Sequence, residues 1–195
     1  MAVIKSAYEL AMERTKDIEA DKESLEASKY TTEGKKIVSR FLAEPDVKMK
    51  DELARFSGRQ LEWAKEGVSQ ALLANLVLPA DELAIQKARR VGEGLSALVS
   101  RPRDVNSLFG QLEEFFKEYV EEKERLRQAV EDQYRPRLQQ KEQELSKQLG
   151  QPVKIDPNSD PEFVAALRKN LANFDLRYTE VMTRVKEQIA GLVVR

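Results

Sequence analysis

The sequence contains no cysteine and no histidine. Those two absences exclude thiol nucleophiles, disulfide frameworks, iron–sulfur clusters, zinc fingers, imidazole bases and Ser-His-Asp chemistry together. Glycine (8) and proline (7) are sparse, so few positions interrupt a helix, and there is a single tryptophan. Long apolar runs are missing too. The longest patch, Val68 to Leu78, is broken by Ser69, Gln70 and Asn75 and is about half the roughly 20 residues that span a bilayer. Neither sign of charge dominates: 33 basic residues against 34 acidic give a net charge of −1, so nothing global attracts nucleic acid or anionic lipid.

What is present is charge arranged on helical periodicity. Charged residues form 34% of the chain, against about 25% in an average soluble protein. Glu9, Glu13 and Asp17 interrupt the N-terminal stretch where a signal peptide needs continuous apolar residues. Ala2 stands where myristoylation needs glycine, and a prenyl group would need a C-terminal cysteine. The expected location is the cytoplasm.

Proline and glycine divide the chain into helical segments. The first runs from Val3 to Ala43, before Pro45; Ile4, Ala11, Ile18 and Leu25 recur every seven residues, and Tyr30, Gly34, Ile37 and Phe41 follow on a shifted face. The weak helix formers Thr31 and Thr32 mark a bend or short break. A second segment spans Val47 to Val77 with Met49, Leu53, Phe56, Trp63, Gly67, Ala71 and Ala74 on one stripe, and a third spans Ala80 to Ser100. In the third, Gly92 and Gly94 either lower helicity or admit a close helix approach.

The fourth segment starts at Asp104, a possible cap, and has no strong stop before Gly150, a length of about 69 Å as α-helix. Its first half has an apolar face containing Phe115 and Phe116, whereas Lys117 to Lys147 carries 16 charged residues among 31. That is the composition of a coiled-coil arm, with a kink or a break expected at Pro136. Residues 150–159 form a loop, and Ser159-Asp160-Pro161-Glu162 fits a capping box in which Ser159 accepts and Glu162 reaches back. Val164, Leu167, Leu171, Phe174, Tyr178, Val181, Val185 and Leu192 then form a seam for an antiparallel helical partner. The fold class expected is all-α: residues 1–103 as part of an N-terminal helical bundle and residues 104–195 as a long, coiled-coil-like antiparallel hairpin.

Chemistry is poorly supplied. Asp156, Asn158, Asp160 and Glu162 alternate like calcium ligands, but Pro161 occupies the position where an EF-hand needs glycine and Leu167 the position of its bidentate glutamate. Helix capping is the better reading, and no metal site or cofactor is expected. Carboxylate pairs such as Glu121/Glu122 alternate with Lys123, Arg125 and Arg127, as on a solvated face. A ferritin-like centre would need Glu-x-x-His. No glycine-rich phosphate loop follows a strand. Lys87, Arg89, Arg90, Arg101 and Arg103 make a small basic patch with a net charge of +2 over residues 80–103. Arg101 and Arg103 fit helix C-terminal carbonyls as well as they fit an anion. Trp63 and the Phe115/Phe116 pair are the aromatic candidates for anchoring a partner or an apolar ligand.

The segments AYELAMERTKDIEADKESLEASKYTTEGKKIVSRFL and DPEFVAALRKNLANFDLRYTEVMTRVKEQI resemble an uncharacterised family of small all-helical bacterial proteins of unknown function. The resemblance implies a helical fold and carries no catalytic residue. Taken together, these features describe a non-enzymatic helical interaction or scaffold protein acting through protein–protein contact or self-association, with Trp63, Phe115, Phe116, Arg101 and Arg103 as interaction candidates. Binding of a small molecule near Trp63, Phe115 and Tyr119 is the alternative. Nucleic-acid binding through the arginines is a weaker one.

Overall fold

Proline and glycine set most of the helix ends. The computed structural model describes the backbone of residues 7–193 and the side chains of residues 21–193. Among these residues lie α1 (Ala7–Ala43), α2 (Met49–Leu53), α3 (Gly58–Asn75), α4 (Glu82–Ser96), α5 (Pro102–Leu149), a 3₁₀ turn at Pro157–Ser159 and α6 (Pro161–Val193), with no strand. The protein is all-α. Pro102 opens α5, where its missing N–H costs nothing, and Gly150, at φ +65°, closes it in the left-handed conformation that glycine adopts freely. The Asp81 carboxylate caps α4 by accepting from the Ala84 N–H at 2.8 Å. No described helix is long and apolar enough to cross a membrane.

Two expectations are narrowed and one is corrected. Of the bend or break expected at Thr31 and Thr32 the break is absent: α1 runs through them, and Thr32 donates its hydroxyl to the Ser28 carbonyl at 2.8 Å, a back-bond that bends a helix without ending it. Of the kink or break expected at Pro136 the break is likewise absent, since α5 continues through it between the buried Tyr134 and Leu138. In contrast, the stretch Val47 to Val77 is two helices. Ser57 is extended and Gly58 sits at φ +53°, a turn that lets the chain reverse after α2. Of the heptad set Ile4, Ala11, Ile18 and Leu25, the first three side chains lie outside the described residues, and Leu25 is exposed.

The chain divides into two compact units. The first comprises Met1–Leu76, Arg90–Asn106 and Ala190–Arg195, the second Val77–Arg89 and Ser107–Ile189. In the first, Arg59 pairs with Glu23 at 2.6 Å, Trp63 stacks on Tyr30, and Gly67 lies against Thr31 and Gly34 against Ala64 and Val68. Partner numbers rise together, so α1 and α3 run parallel. The connection between them must therefore double back, and it does: Glu52 meets Arg40 and Phe56 meets Tyr30. The two glycines make the crossing close. A Cβ on Gly34 would overlap the Ala64 carbonyl oxygen, and one on Gly67 the Thr31 carbonyl oxygen, so each Cα–H faces a carbonyl across the interface. Gly94 plays a similar part, facing the side chains of Leu72 and Phe41.

The end of α1 is finished by a side chain from α4. Arg90 donates to the carbonyls of Phe41 (3.2 Å), Glu44 (3.3 Å), Pro45 (3.0 Å) and Val47 (2.6 Å). Its guanidinium also lies 3.8 Å from the Phe41 ring centroid and donates to Glu93 at 2.8 Å. One cation thereby gathers the Phe41 carbonyl in the last turn of α1 and three carbonyls of the connection that follows, and it also suits the negative end of the helix dipole.

In the second unit α5 and α6 pack side by side. Tyr119 meets Phe174 and Asp175, Tyr134 meets Glu162, and Lys141 meets Asp160. Here partner numbers run in opposite senses, so the pair is antiparallel. The seam on α6 differs in part from the expected one: Phe174 is buried and Val164 packs on the same cluster as Phe163, as expected, but Phe163, Met182 and Ile189 are buried too, and Val181 is 38% exposed. With the half-buried Leu167, Leu171, Tyr178 and Val185, contact positions recur every 11 residues (Phe163 to Phe174 to Val185; Leu167 to Tyr178 to Ile189). Eleven residues fill three turns at about 3.67 per turn, close to the undistorted helix, so the seam stays aligned with little supercoiling.

Candidate functional site

The aromatic candidates fall into both units. Trp63, in the first, is half-buried with its ring 6.2 Å from that of Tyr30 and nearly parallel to it, while Phe56 meets Tyr30 edge-on at 5.9 Å. The outer side of Trp63 lines an open recess of about 410 Å³ bounded by Lys22, Glu23, Glu26, Arg59 and Gln60. Phe115 and Phe116 belong to the second unit. Phe116 is buried and Phe115 half-buried; Phe115 lies 5.1 Å from Tyr178, which in turn contacts Tyr119 (4.9 Å) and Phe174 (4.8 Å). Phe115, Tyr119, Phe174 and Tyr178 form the core of the α5–α6 pairing, while Phe116 faces Ile85 and Ala88 of α4. Arg101 and Arg103 are exposed at the start of α5; the arginine that meets carbonyls at a helix end is Arg90, at the end of α1. Arg89, another member of the basic patch, forms a two-pronged pair with Glu113.

The polar chemistry of the second unit is carried by tyrosines facing carboxylates. Tyr119 donates to Asp175 at 2.7 Å and accepts from Lys123 at 2.6 Å. A lysine beside a tyrosine can generate a phenolate, but here burial pushes the Tyr119 phenol up, so its proton stays on oxygen. Tyr178 donates to Glu122 at 2.8 Å, and its phenol is pushed up to about 12, chiefly by burial and then by that carboxylate. Tyr134 donates to Glu162 at 2.8 Å. The three pairs place hydroxyl donors on acceptor carboxylates. None of them forms an activated nucleophile or base.

At the base of α6 the expected cap is displaced by one residue. Asp160, not Ser159, accepts from the N–H groups of Glu162 (3.0 Å) and Phe163 (2.9 Å), and it is buried beneath Lys141, which donates to it at 2.7 Å. The Lys141 hydrogen bond and the two backbone donors hold the Asp160 carboxyl below the usual carboxylate range. Glu162 turns toward Tyr134 and Lys141 instead of reaching back. Proline at the first helical position identifies its predecessor as the cap, and Pro161 was that signal. Asp156 accepts from the Asn158 N–H at 3.0 Å to start the 3₁₀ turn. Among the described residues no group of three or more acidic side chains is placed to hold a metal, and no buried side-chain nitrogen or oxygen lacks a partner.

A further feature lies on the outward side of α6. Ala165, Ala172, Leu176, Thr179 and Thr183 are all exposed and, at steps of seven, four, three and four, share one face. Leu176 is 61% exposed at its centre. Thr179 and Thr183 donate their hydroxyls to the carbonyls of Asp175 (2.8 Å) and Thr179 (2.9 Å), so the hydroxyl protons are occupied within the helix. From Ala172 to Thr183 the strip contains no charged side chain, with Lys169 exposed on the same face one heptad before Leu176, whereas the outer side of α5 exposes Glu114, Glu118, Glu121, Arg125 and Asp132. Sequence reading overlooked it because alanine and threonine carry little hydrophobic signal.

No curated protein and no solved structure matches the chain. A family model does match, over residues 50–191, which takes in everything from α2 through nearly all of α6. On that match, the chain belongs to DUF6657, a family of unknown function.

Proposed function

We propose that this is a cytoplasmic, non-enzymatic helical interaction protein that works by protein contact, through coiled-coil-like association along the strip of α6 centred on Leu176. One observation carries the reading: an exposed leucine centred on small residues at heptad steps, on a chain in which 34% of residues are charged. A second helix could approach closely along such a strip, burying Leu176 at a gain of about 1.5–2 kcal/mol per copy, and heptad steps are those that keep two helices in register. The internally hydrogen-bonded tyrosine–carboxylate pairs support a structural role for the polar groups of α5 and α6. Light scattering on the full chain tests the reading. The expected result is a mass above 22.3 kDa that falls to the monomer value in Leu176→Glu. A monomer at every concentration, together with unaltered partner capture by Leu176→Glu, would refute it.

A further inference from the structure

We propose that the recess between α1 and the turn after α2 binds a small organic anion: a carboxylate carried on an apolar body. The proposal does not depend on the α6 strip, which belongs to the other unit. Glu33, Lys36, Ile37, Arg40, Arg55 and Phe56 line this recess of about 510 Å³, within the roughly 300–1,000 Å³ of small-molecule sites. Its floor is apolar and fixed. Ile37 is rooted in the core at 3% exposure, and Phe56 is braced edge-on by Tyr30.

The rim is cationic and already organised. Arg40 comes from α1 and Arg55 from the turn after α2, and both guanidiniums bond the same oxygen of Glu52. That carboxylate is largely covered, its side chain 18% exposed, while the two arginine side chains are 48% and 55% exposed. Among the described residues Arg40 commits one of its five N–H donors and Arg55 two, the second to the Glu52 carbonyl. Glu52 therefore holds the two guanidiniums together while most of their donors remain available to a second carboxylate, and part of the ordering entropy of binding is met in advance. Lys36 lies one helical turn before Arg40. Three cations against Glu33 and Glu52 leave the recess positive on a chain whose net charge is −1.

The combination selects the ligand class. A bare inorganic anion would leave Ile37 and Phe56 unused, and a neutral apolar molecule would leave the guanidiniums without a charge to answer. A long polyanion leaving the recess along α1 would meet Glu23 and Glu26 as well as Glu33. A compact amphiphilic carboxylate uses floor and rim at once.

The test is a titration of the full chain with naphthalene-2-carboxylate, and in parallel with the neutral naphthalene-2-methanol, followed by amide NMR shifts and by the fluorescence of Trp63, the only tryptophan. Saturable binding of the carboxylate is expected, with shifts confined to residues 33–40 and 52–57 and affinity at least about tenfold above that of the alcohol. Arg55→Gln and, separately, the surface change Lys36→Gln should each weaken the carboxylate severalfold without altering the melting temperature. Absence of saturation by about 1 mM, equal affinity for the alcohol, shifts centred elsewhere, or unchanged affinity in both variants would overturn the proposal.

Discussion

In the first unit α1 and α3 meet at Gly34 and Gly67, where backbone touches backbone and a single added carbon has no room. In the second, α5 and α6 meet through Phe115, Tyr119, Phe174 and Tyr178, large rings of which the two tyrosines have their hydroxyls tied to carboxylates on the facing helix. The first joint fails by overfilling and the second by emptying. Removing bulk should therefore damage the second unit and adding bulk the first, and substitutions within the two units test that asymmetry directly.

The largest effect is expected from Phe116→Ala, which removes a ring at 1% exposure and should cost about 3–5 kcal/mol in chemical denaturation. Gly67→Ala comes next. Its Cβ meets backbone that cannot step aside, so a loss of about 2–3 kcal/mol is expected, against no loss for Gly110→Ala in α5, where nothing lies within 4 Å. Equal melting temperatures for these two glycine variants would erase the contrast between the units. Tyr119→Phe keeps the ring and removes only the hydroxyl shared by Asp175 and Lys123, for a loss of about 1–2 kcal/mol.

Two smaller effects appear only as pH dependence. Glu113 is held at about 2 instead of its ordinary 4.5, by hydrogen bonds from Arg89 and then Lys117. Its depressed folded value means a contribution present above pH 4.5 and lost as pH falls toward 2. Tyr178 works in the opposite sense. Its raised value of about 12, against 10, gives a contribution complete below pH 10 and lost as pH rises toward 12. Glu113→Gln should flatten the acid limb of a stability-versus-pH curve, and Tyr178→Phe the alkaline limb. The smallest effect is the gain from Gly110→Ala itself, about 0.5–1 kcal/mol from helix propensity, read as a raised denaturation midpoint.

The helix class and most helix ends were legible in the sequence because proline and glycine act locally: Pro45, Pro79, Pro102 and Gly150 fall at or beside element boundaries. The break before Gly58 was not, since the apolar stripe through Met49, Leu53 and Phe56 continues smoothly while the backbone turns. The omission of Phe163, Met182 and Ile189 and the inclusion of Val181 followed from fitting seven-residue steps to a seam that repeats every eleven. Partners were the least accessible layer. Arg90 reaches carbonyls more than 40 residues away and Tyr119 a carboxylate 56 residues away, and no spacing rule connects positions so distant. Arg89 and Arg90 read as a charge patch; each proved to have an internal partner. The recess at Arg40 and Arg55 was invisible for the same reason, because it exists only once the chain has doubled back.

Arg90 carries a consequence for synthesis. A nascent polypeptide released only through Asn75 already contains α1, α2 and α3, yet the carbonyls at the end of α1 have no guanidinium to receive them until residue 90 has cleared the ribosome. Completion of the oldest helix thus waits on one that is translated later, which makes the arrival of that arginine a natural checkpoint between an open precursor and a closed one.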